Sequence, residues 1–488
     1  MNDLSRRALW LTATALLPLG LTACDSNDPG PGPSACEALT LDCALQASEV
    51  RYDTTGSEVQ VTDLGNGVAP RVGTIRWTND NEYVLNGRVF VNDGQTLEIE
   101  PGTIVRGRPG SGERASALIV ARGGTIMAEG TAAEPIVMTS LSDDLADPDD
   151  QPLGGGQWGG LIVLGRAGLN TTPAELNIEG IPVSEPRGVY GGSNDDDNSG
   201  TIRYVSIRYG GTNIGENNEI NGLTLGGVGR GTTIEYVEVF SNADDGVEFF
   251  GGTVNTKHMV VAFSDDDSFD TDQGYRGLNQ YWLAIQRAGD GDNGAEMDGG
   301  DADGDVDAQP YSAFKVANAT FVGSGQNDQN TGLGRALRIR ESSAASYYRS
   351  VFTGFDNLLN IEETDDATDV DSRAQLEAGR LVLNGNVFGT FLDGDDAAGS
   401  VSQDFVRAYL TNAANANVFA GTEAVVSGLT NGDTEGGINP TSAGQAATPR
   451  GTLPADPFFE ASTCTGAVCA GNNWIQGWTA LSQLGYLD

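Results

Sequence analysis

The sequence predicts an all-β chain wound into a parallel β-helix, a solenoid with projecting loops and a small C-terminal cap. Three observations predict it. The 488 residues carry 68 glycines, and short β-branched runs recur between them, which argues for one long β structure rather than several ordinary domains. Ile202-Arg203-Tyr204-Val205-Ser206-Ile207 recurs as Ile234-Glu235-Tyr236-Val237-Glu238-Val239. Val237 to Ser241 is echoed by Val260 to Ser264 at an offset of 23 residues. Each copy runs into an acidic turn, Asp244-Asp245-Gly246-Val247-Glu248 or Asp266-Asp267-Ser268-Phe269-Asp270. An offset in the low twenties is the length of one β-helix coil. One coil cannot bury its own apolar face, whereas stacked coils share a continuous core. An antiparallel β-sandwich is the competing reading of such a helix-poor, turn-rich sequence.

Taken in order, residues 1–23 read as a signal peptide. Arg6 and Arg7 precede an uncharged, mostly apolar run, Ala8 to Leu21, which is too short to span a bilayer comfortably. Leu21-Thr22-Ala23-Cys24 resembles the lipobox of bacterial lipoproteins, so Cys24 is the expected lipid-bearing N-terminus; an ordinary signal peptide with a chance cysteine is the alternative. Residues 24–45 form a tether and entry segment, because Asp25 to Ser34 offers no large apolar residue to bury. Residues 46–440 carry the coils, with strands expected at Thr96 to Ile99, Ile104 to Arg106, Ala117 to Val120, Thr125 to Ala128, Ile136 to Met138 and Leu161 to Leu164. Most end at Gly, Pro, Asn or Asp, the residues that sharp corners call for. Ser142 to Gly156, Thr171 to Ser199 and Ala288 to Pro310 are expected to project as loops. Residues 441–488 change texture: Trp474, Trp478 and Leu481 have helical spacing, and we expect them to cover the strand edges of the last coil.

Charge narrows the function. Acidic residues number 68 against 27 basic, a net charge of -41, which disfavours nucleic acid and anionic lipid as partners. Only two lysines occur, Lys257 and Lys315; this balance fits high salt or a calcium-loaded exterior. Besides Cys24 the chain has Cys36, Cys43, Cys464 and Cys469, two close pairs that read as local disulfides in an oxidising compartment. A four-thiolate metal site is the alternative. The single histidine, His258, adjoins the apolar run Met259 to Phe263 and reads as structural, which disfavours histidine-dependent triads.

Calcium is the expected ligand, since hard cations take oxygen donors and the chain clusters carboxylates in glycine-rich loops. One candidate set is Asp301, Asp303, Asp305 and Asp307. The other is Asp265, Asp266, Asp267, Asp270 and Asp272, stacked on Asp244, Asp245 and Glu248 of the preceding coil. Such a stack repels itself unless an ion neutralises it; the bland alternative is a solvated acidic loop. Paired carboxylates with arginine nearby also suit glycoside cleavage, with Asp267, Asp270 and Arg276 as catalytic candidates and Arg338 and Arg340 as further charge. Against catalysis stands a non-enzymatic adhesin or glycan-binding spike, in which Trp158, Tyr190, Tyr275, Tyr281 and Trp282 either stack on sugars or belong to the core.

Four segments resemble a group of largely uncharacterised bacterial surface lipoproteins. They are Gly102 to Gly107, Gly123 to Thr131 with Pro135 to Ser140, Trp158 to Leu161, and Asp244 to Thr253. Asp265-Asp266-Asp267-Ser268-Phe269-Asp270-Thr271-Asp272 leading to Gly277 is a further hallmark. The resemblance covers roughly residues 85 to 300 and more weakly the remainder. It implies a right-handed, pectin-lyase-like β-helix and an envelope location, with no established reaction. The reading is therefore a lipid-anchored protein of the outer membrane or cell surface with calcium-stabilised loops and a glycan or surface partner, the alternative being a polysaccharide lyase or glycoside hydrolase.

Overall fold

The computed structural model describes the strand Arg51–Tyr52, residues 58–61 and 64, and residues 73–147, 154–215, 218–300, 308–325, 334–364, 370–392, 401–428 and 437–487. The signal peptide, Cys24, the Cys36 and Cys43 pair, and Asp301, Asp303, Asp305 and Asp307 lie outside these residues.

Each coil passes through three parallel sheets in turn. The first holds Gly73–Trp77, Gln95–Ile99 and Thr125–Glu129; the second holds Glu82–Leu85, Ile104–Gly107 and Ile136–Ser140; the third holds Arg88–Val91, Ala117–Val120 and Gly160–Leu164. Within each sheet the neighbours pair in parallel. Midway, the first two sheets share single bent strands, Gly200–Arg208, Thr233–Phe240, Asn255–Ala262 and Leu278–Ile285. The third sheet runs on to Asn357–Ile361 and the second to Val418–Phe419. Side chains alternate about the strands, so Val237, Val239, Met259, Val261, Trp282 and Ala284 fill a continuous core.

The first internal echo is the true register: Ile202 pairs with Ile234 and Val205 with Val237. The second is one residue out, because Val237 pairs with Met259 and Val239 with Val261, an offset of 22 rather than 23. A one-residue shift exchanges the two faces of a strand. These strands conceal it by being apolar on both faces: Val260, Ala262, Leu283 and Ile285 point outward yet are buried.

The cover over that outer face is the C-terminal tail, and this corrects the expectation that the tail closes the last coil. Ala467, Val468, Ile475, Trp478 and Leu481 pack on Tyr209, Phe240, Val260, Phe263 and Leu283 along the side of the solenoid. The disulfide Cys464–Cys469 closes the loop that begins this docking. Toward the late coils the core instead receives Leu376 of helix α1 (Ser372–Glu377) and Val406 and Leu410 of helix α2 (Asp404–Leu410).

The corner between the first and second sheets also departs from expectation. In six successive coils it is turned by one non-glycine residue with positive φ, Tyr204, Tyr236, His258, Tyr281, Asn318 and Arg349, whereas an earlier and a later coil use Gly102 (φ 78°) and Gly385 (φ 71°). A bulky side chain is disfavoured in that conformation. Stacking offsets the cost: ring centroids lie 4.4 Å apart for Tyr204 and Tyr236, 4.2 Å for Tyr236 and His258, and 4.7 Å for His258 and Tyr281, each worth about 0.5–1.5 kcal/mol. Helix α3 (Ala480–Gln483) docks beside this corner, and its first amide N–H groups, Ala480 and Leu481, donate to the carboxylate of Glu238 at 2.6 and 3.2 Å.

Candidate functional site

One column of outward-facing residues crosses the whole third sheet. In register order it reads Phe90, Ile119, Ile162, Thr224, Glu248, Asp270, Glu296, Arg338, Asn360. Its apolar beginning is covered by the excursion Thr171 to Ser199, whose strands Glu175–Asn177 and Val189–Gly191 form an antiparallel hairpin. Ile178, Ile181 and Tyr190 of that excursion pack on Phe90, Ile119 and Ile162. Beyond Thr224 the column turns acidic. The inward neighbours stay apolar, Val247, Phe249, Phe269, Met297 and Leu337, so the carboxylates are held on a rigid sheet at the interstrand spacing of about 4.8 Å.

The turns entering these strands stack as well. The Asp267 N–H donates to the carboxylate of Asp245 at 2.9 Å, and the Asn293 N–H donates to Asp267. Asp245 and Asp267 are therefore fixed by the backbone of the following coil. Gly246 permits the tight approach, since a Cβ there would lie 2.3 Å from a methyl of Val261.

Three carboxylate groups result, each with ligand oxygens within 4.8 Å of one another: Asp244, Asp245 and Asp266; Asp245, Glu248 and Asp270; Asp266, Asp267 and Asp292. Burial, reinforced by mutual repulsion, pushes Asp245, Glu248, Asp267 and Asp270 well above the usual carboxylate range, and Asp244 up to about 7. Glu179 of the covering excursion is raised too, mainly by burial; Asn221 donates to both Glu179 and Glu248. Buried oxygens of Asp270, Asp292, Asn293 and Thr224 have no hydrogen-bond partner.

The far end of the column is neutralised. Arg338 pairs with Glu296 at 3.1 Å, and Arg340 bonds Asp298 through Nε at 2.9 Å and through Nη2 at 2.5 Å. No arginine or lysine forms an ion pair with Asp245, Glu248, Asp267 or Asp270 among the described residues.

Of the residues expected from the sequence, Asp266, Asp267 and Asp270 join these groups, with Asp244, Asp245 and Glu248 stacked on them as anticipated. Asp265 and Asp272 do not join them. Arg276 is elsewhere: its guanidinium holds Asp195 at 3.0 Å and the carbonyls of Gly168 and Gly274. Trp158, Tyr190, Tyr275 and Trp282 are core residues, and Tyr281 belongs to the corner stack. Asp292, Glu296 and Asp298 were missed because Ala288 to Pro310 reads as a projecting loop, whereas Glu296–Met297 is a strand of the third sheet. A signal exists: Asp292-Asn293-Gly294-Ala295-Glu296 repeats the pattern of Asp266-Asp267-Ser268-Phe269-Asp270.

Three parallel sheets wound coil upon coil, with an acidic column on one outer face, define a β-helix protein of the pectin-lyase-like class. The family profile described as a pectate-lyase-like beta helix domain matches residues 70–434, and the chain belongs to that family. No curated protein and no solved structure matches it.

Proposed function

We propose that the chain is a lipid-anchored protein of the cell envelope, at the outer membrane or cell surface. Its β-helix serves as a stiff binding or structural element, without catalysis, and holds calcium in the acidic column. The observation that carries the cation is the convergence of the buried Asp245 and Glu248 with the partly buried Asp270, mutually repelling and without a basic partner. The donor set fits. Two oxygens that each lie about 2.4 Å from one ion are at most about 4.8 Å apart, and calcium accepts six to eight oxygens in irregular geometry where magnesium demands an octahedron. Calcium there would neutralise the column and tie adjacent coils together. Support for the anchor is the charged, apolar and Leu21-Thr22-Ala23-Cys24 sequence order; no helix among the described residues is long and apolar enough to cross a membrane.

Metal analysis of the purified mature chain, with melting followed in calcium and in chelator, tests the cation. Bound calcium and a higher melting temperature are expected; no metal and no shift overturn it. Metabolic labelling with a palmitate analogue tests the anchor, since label retained by Cys24→Ser refutes acylation at that residue.

A polysaccharide lyase or hydrolase is the second reading, favoured by Arg338 and Arg340 standing beside Glu296 and Asp298 on the same face. Release of unsaturated or reducing sugar that disappears in Asp270→Asn would establish it. Asp267 is the less direct probe, because its carboxylate also accepts the Asn293 N–H of the next turn, so substituting it changes the coil as well as the charge.

A further inference from the structure

A cleft of about 440 Å³ lies where the outer face of the first sheet meets the tail near Phe458 and Glu460, on a different side of the solenoid from the acidic column. Its volume falls in the range of about 300–1,000 Å³ that small-molecule sites occupy. In a chain of net charge -41 this cleft is unusual in collecting basic groups, and each of them already holds a carboxylate. Arg230 lies 3.4 Å from Asp195 and 3.3 Å from Asp196, and Lys257 lies 2.5 Å from Glu460; the lining carboxylate of Glu235 is held by Arg203, which is not itself a wall residue. The walls therefore present fixed donors and acceptors side by side with little net charge. Asn255, whose Oδ1 accepts from the Leu278 N–H at 2.8 Å, adds its amide donor.

The apolar wall is the ring of Phe458, fixed by Lys257 at 4.7 Å from its centroid. Tyr236 offers only its edge, because both of its faces are covered by Tyr204 and His258.

We propose that this cleft binds a neutral sugar of one or two rings. A hydroxyl both donates and accepts, so sugar hydroxyls can bridge the acceptor of one ion pair and the donor of the next, while the C–H face of the ring packs against Phe458. A carboxylate-bearing ligand would instead have to displace Asp195 or Glu460 from its partner. The proposal deepens the binding role proposed above and rests on it, but it is independent of the cation column. The aromatic that serves it, Phe458, comes from the tail, which gives the lateral docking of the tail a functional consequence.

The test is saturation-transfer NMR on the full mature chain with cellobiose, N,N′-diacetylchitobiose and digalacturonate, each in calcium and in chelator, for the native protein, Phe458→Ala and Arg230→Ala. At least one neutral disaccharide is expected to bind with a Kd of about 1 mM or tighter, whether or not calcium is present, and about tenfold more weakly in both variants at unchanged melting temperature. Arg230 lies outside the tail, so its variant stands if Phe458→Ala loosens the tail. No neutral disaccharide bound, binding unaffected in Arg230→Ala, or binding of digalacturonate alone overturns the proposal. Sugar binding lost on chelation would move the site to the acidic column, which overturns the cleft and leaves the cation reading intact.

Discussion

Glu248 and Asp270 occupy paired positions on adjacent parallel strands, so a buried and a partly buried carboxylate stand one above the other on the outer face of the third sheet. Arg338 and Arg340 relieve the same repulsion at the other end of the column but do not pair with this end. Asp270→Asn separates the two consequences of the arrangement. In chelator the variant is expected to melt higher than the native chain, because a like-charge contact is gone. Its stabilisation by calcium is expected to be smaller, because a ligand is gone. Calorimetry in both buffers checks it, and a variant that melts lower in chelator with an unchanged calcium shift contradicts the site.

The same carboxylates set a pH dependence. Asp244, Asp245, Glu248, Asp267 and Asp270 all have folded-state values above their ordinary ones, so without metal the folded chain binds protons more tightly than the unfolded chain. That stability is complete at acid pH and is lost as pH rises through the folded values, one of which lies at about 7. The metal-free protein should therefore lose stability between about pH 5 and 8, and the calcium-induced shift in melting temperature should grow over that interval as protons stop competing with the ion. A calcium shift that is constant with pH would remove these residues as ligands.

What was legible in the sequence follows from which side of a strand water reaches. The stacking of Ile202 on Ile234 and of Glu248 on Asp270 shows as a repeat because inward apolar and outward polar positions alternate. The step from Val237 to Met259 does not, since the tail covers the outer face and both faces became apolar. The tail's position was hidden for the same reason: Val260 and Leu283 read as ordinary strand residues, and their partners Trp478 and Leu481 are about two hundred residues away in the chain. The coil at Glu296 was hidden because its strand spans only two residues and the acidic, glycine-rich stretch around it has a loop-like composition.

Glu238 is the fastening point of the tail. It is fully buried, accepts the Ala480 and Leu481 N–H groups at the start of α3, and also accepts the Ser206 hydroxyl at 2.5 Å. Glu238→Ala leaves these donors without a partner under the tail, at a cost of about 1–3 kcal/mol for each buried one. The expected outcome is a lower melting temperature with early exposure of Trp474 and Trp478, read by a red shift of tryptophan emission at mild denaturant. A variant whose tryptophans unfold only with the whole chain would show that the apolar contacts hold the tail unaided.

His258 supplies the last prediction. Its ring lies between Tyr236 and Tyr281 with Trp474 edge-on at 4.9 Å, and its Nδ1 has no partner. Burial lowers its pKa from 6.5 to about 4, with Glu460 opposing and Lys257 assisting the shift. A depressed histidine means that the unfolded chain takes up the proton first, so this contribution is complete above about pH 6.5 and is lost as pH falls toward 4. At 1.36 kcal/mol per unit the full loss is up to about 3 kcal/mol. His258→Phe keeps a ring in the stack and removes the proton. Native and variant chains should therefore be similar at pH 7, while the variant gains on the native chain between pH 6.5 and 4.5. Because the acidic column is common to both chains, the difference between their denaturation curves isolates the histidine; parallel curves across that interval would mean that the ring is solvated well enough to ionise in the folded state.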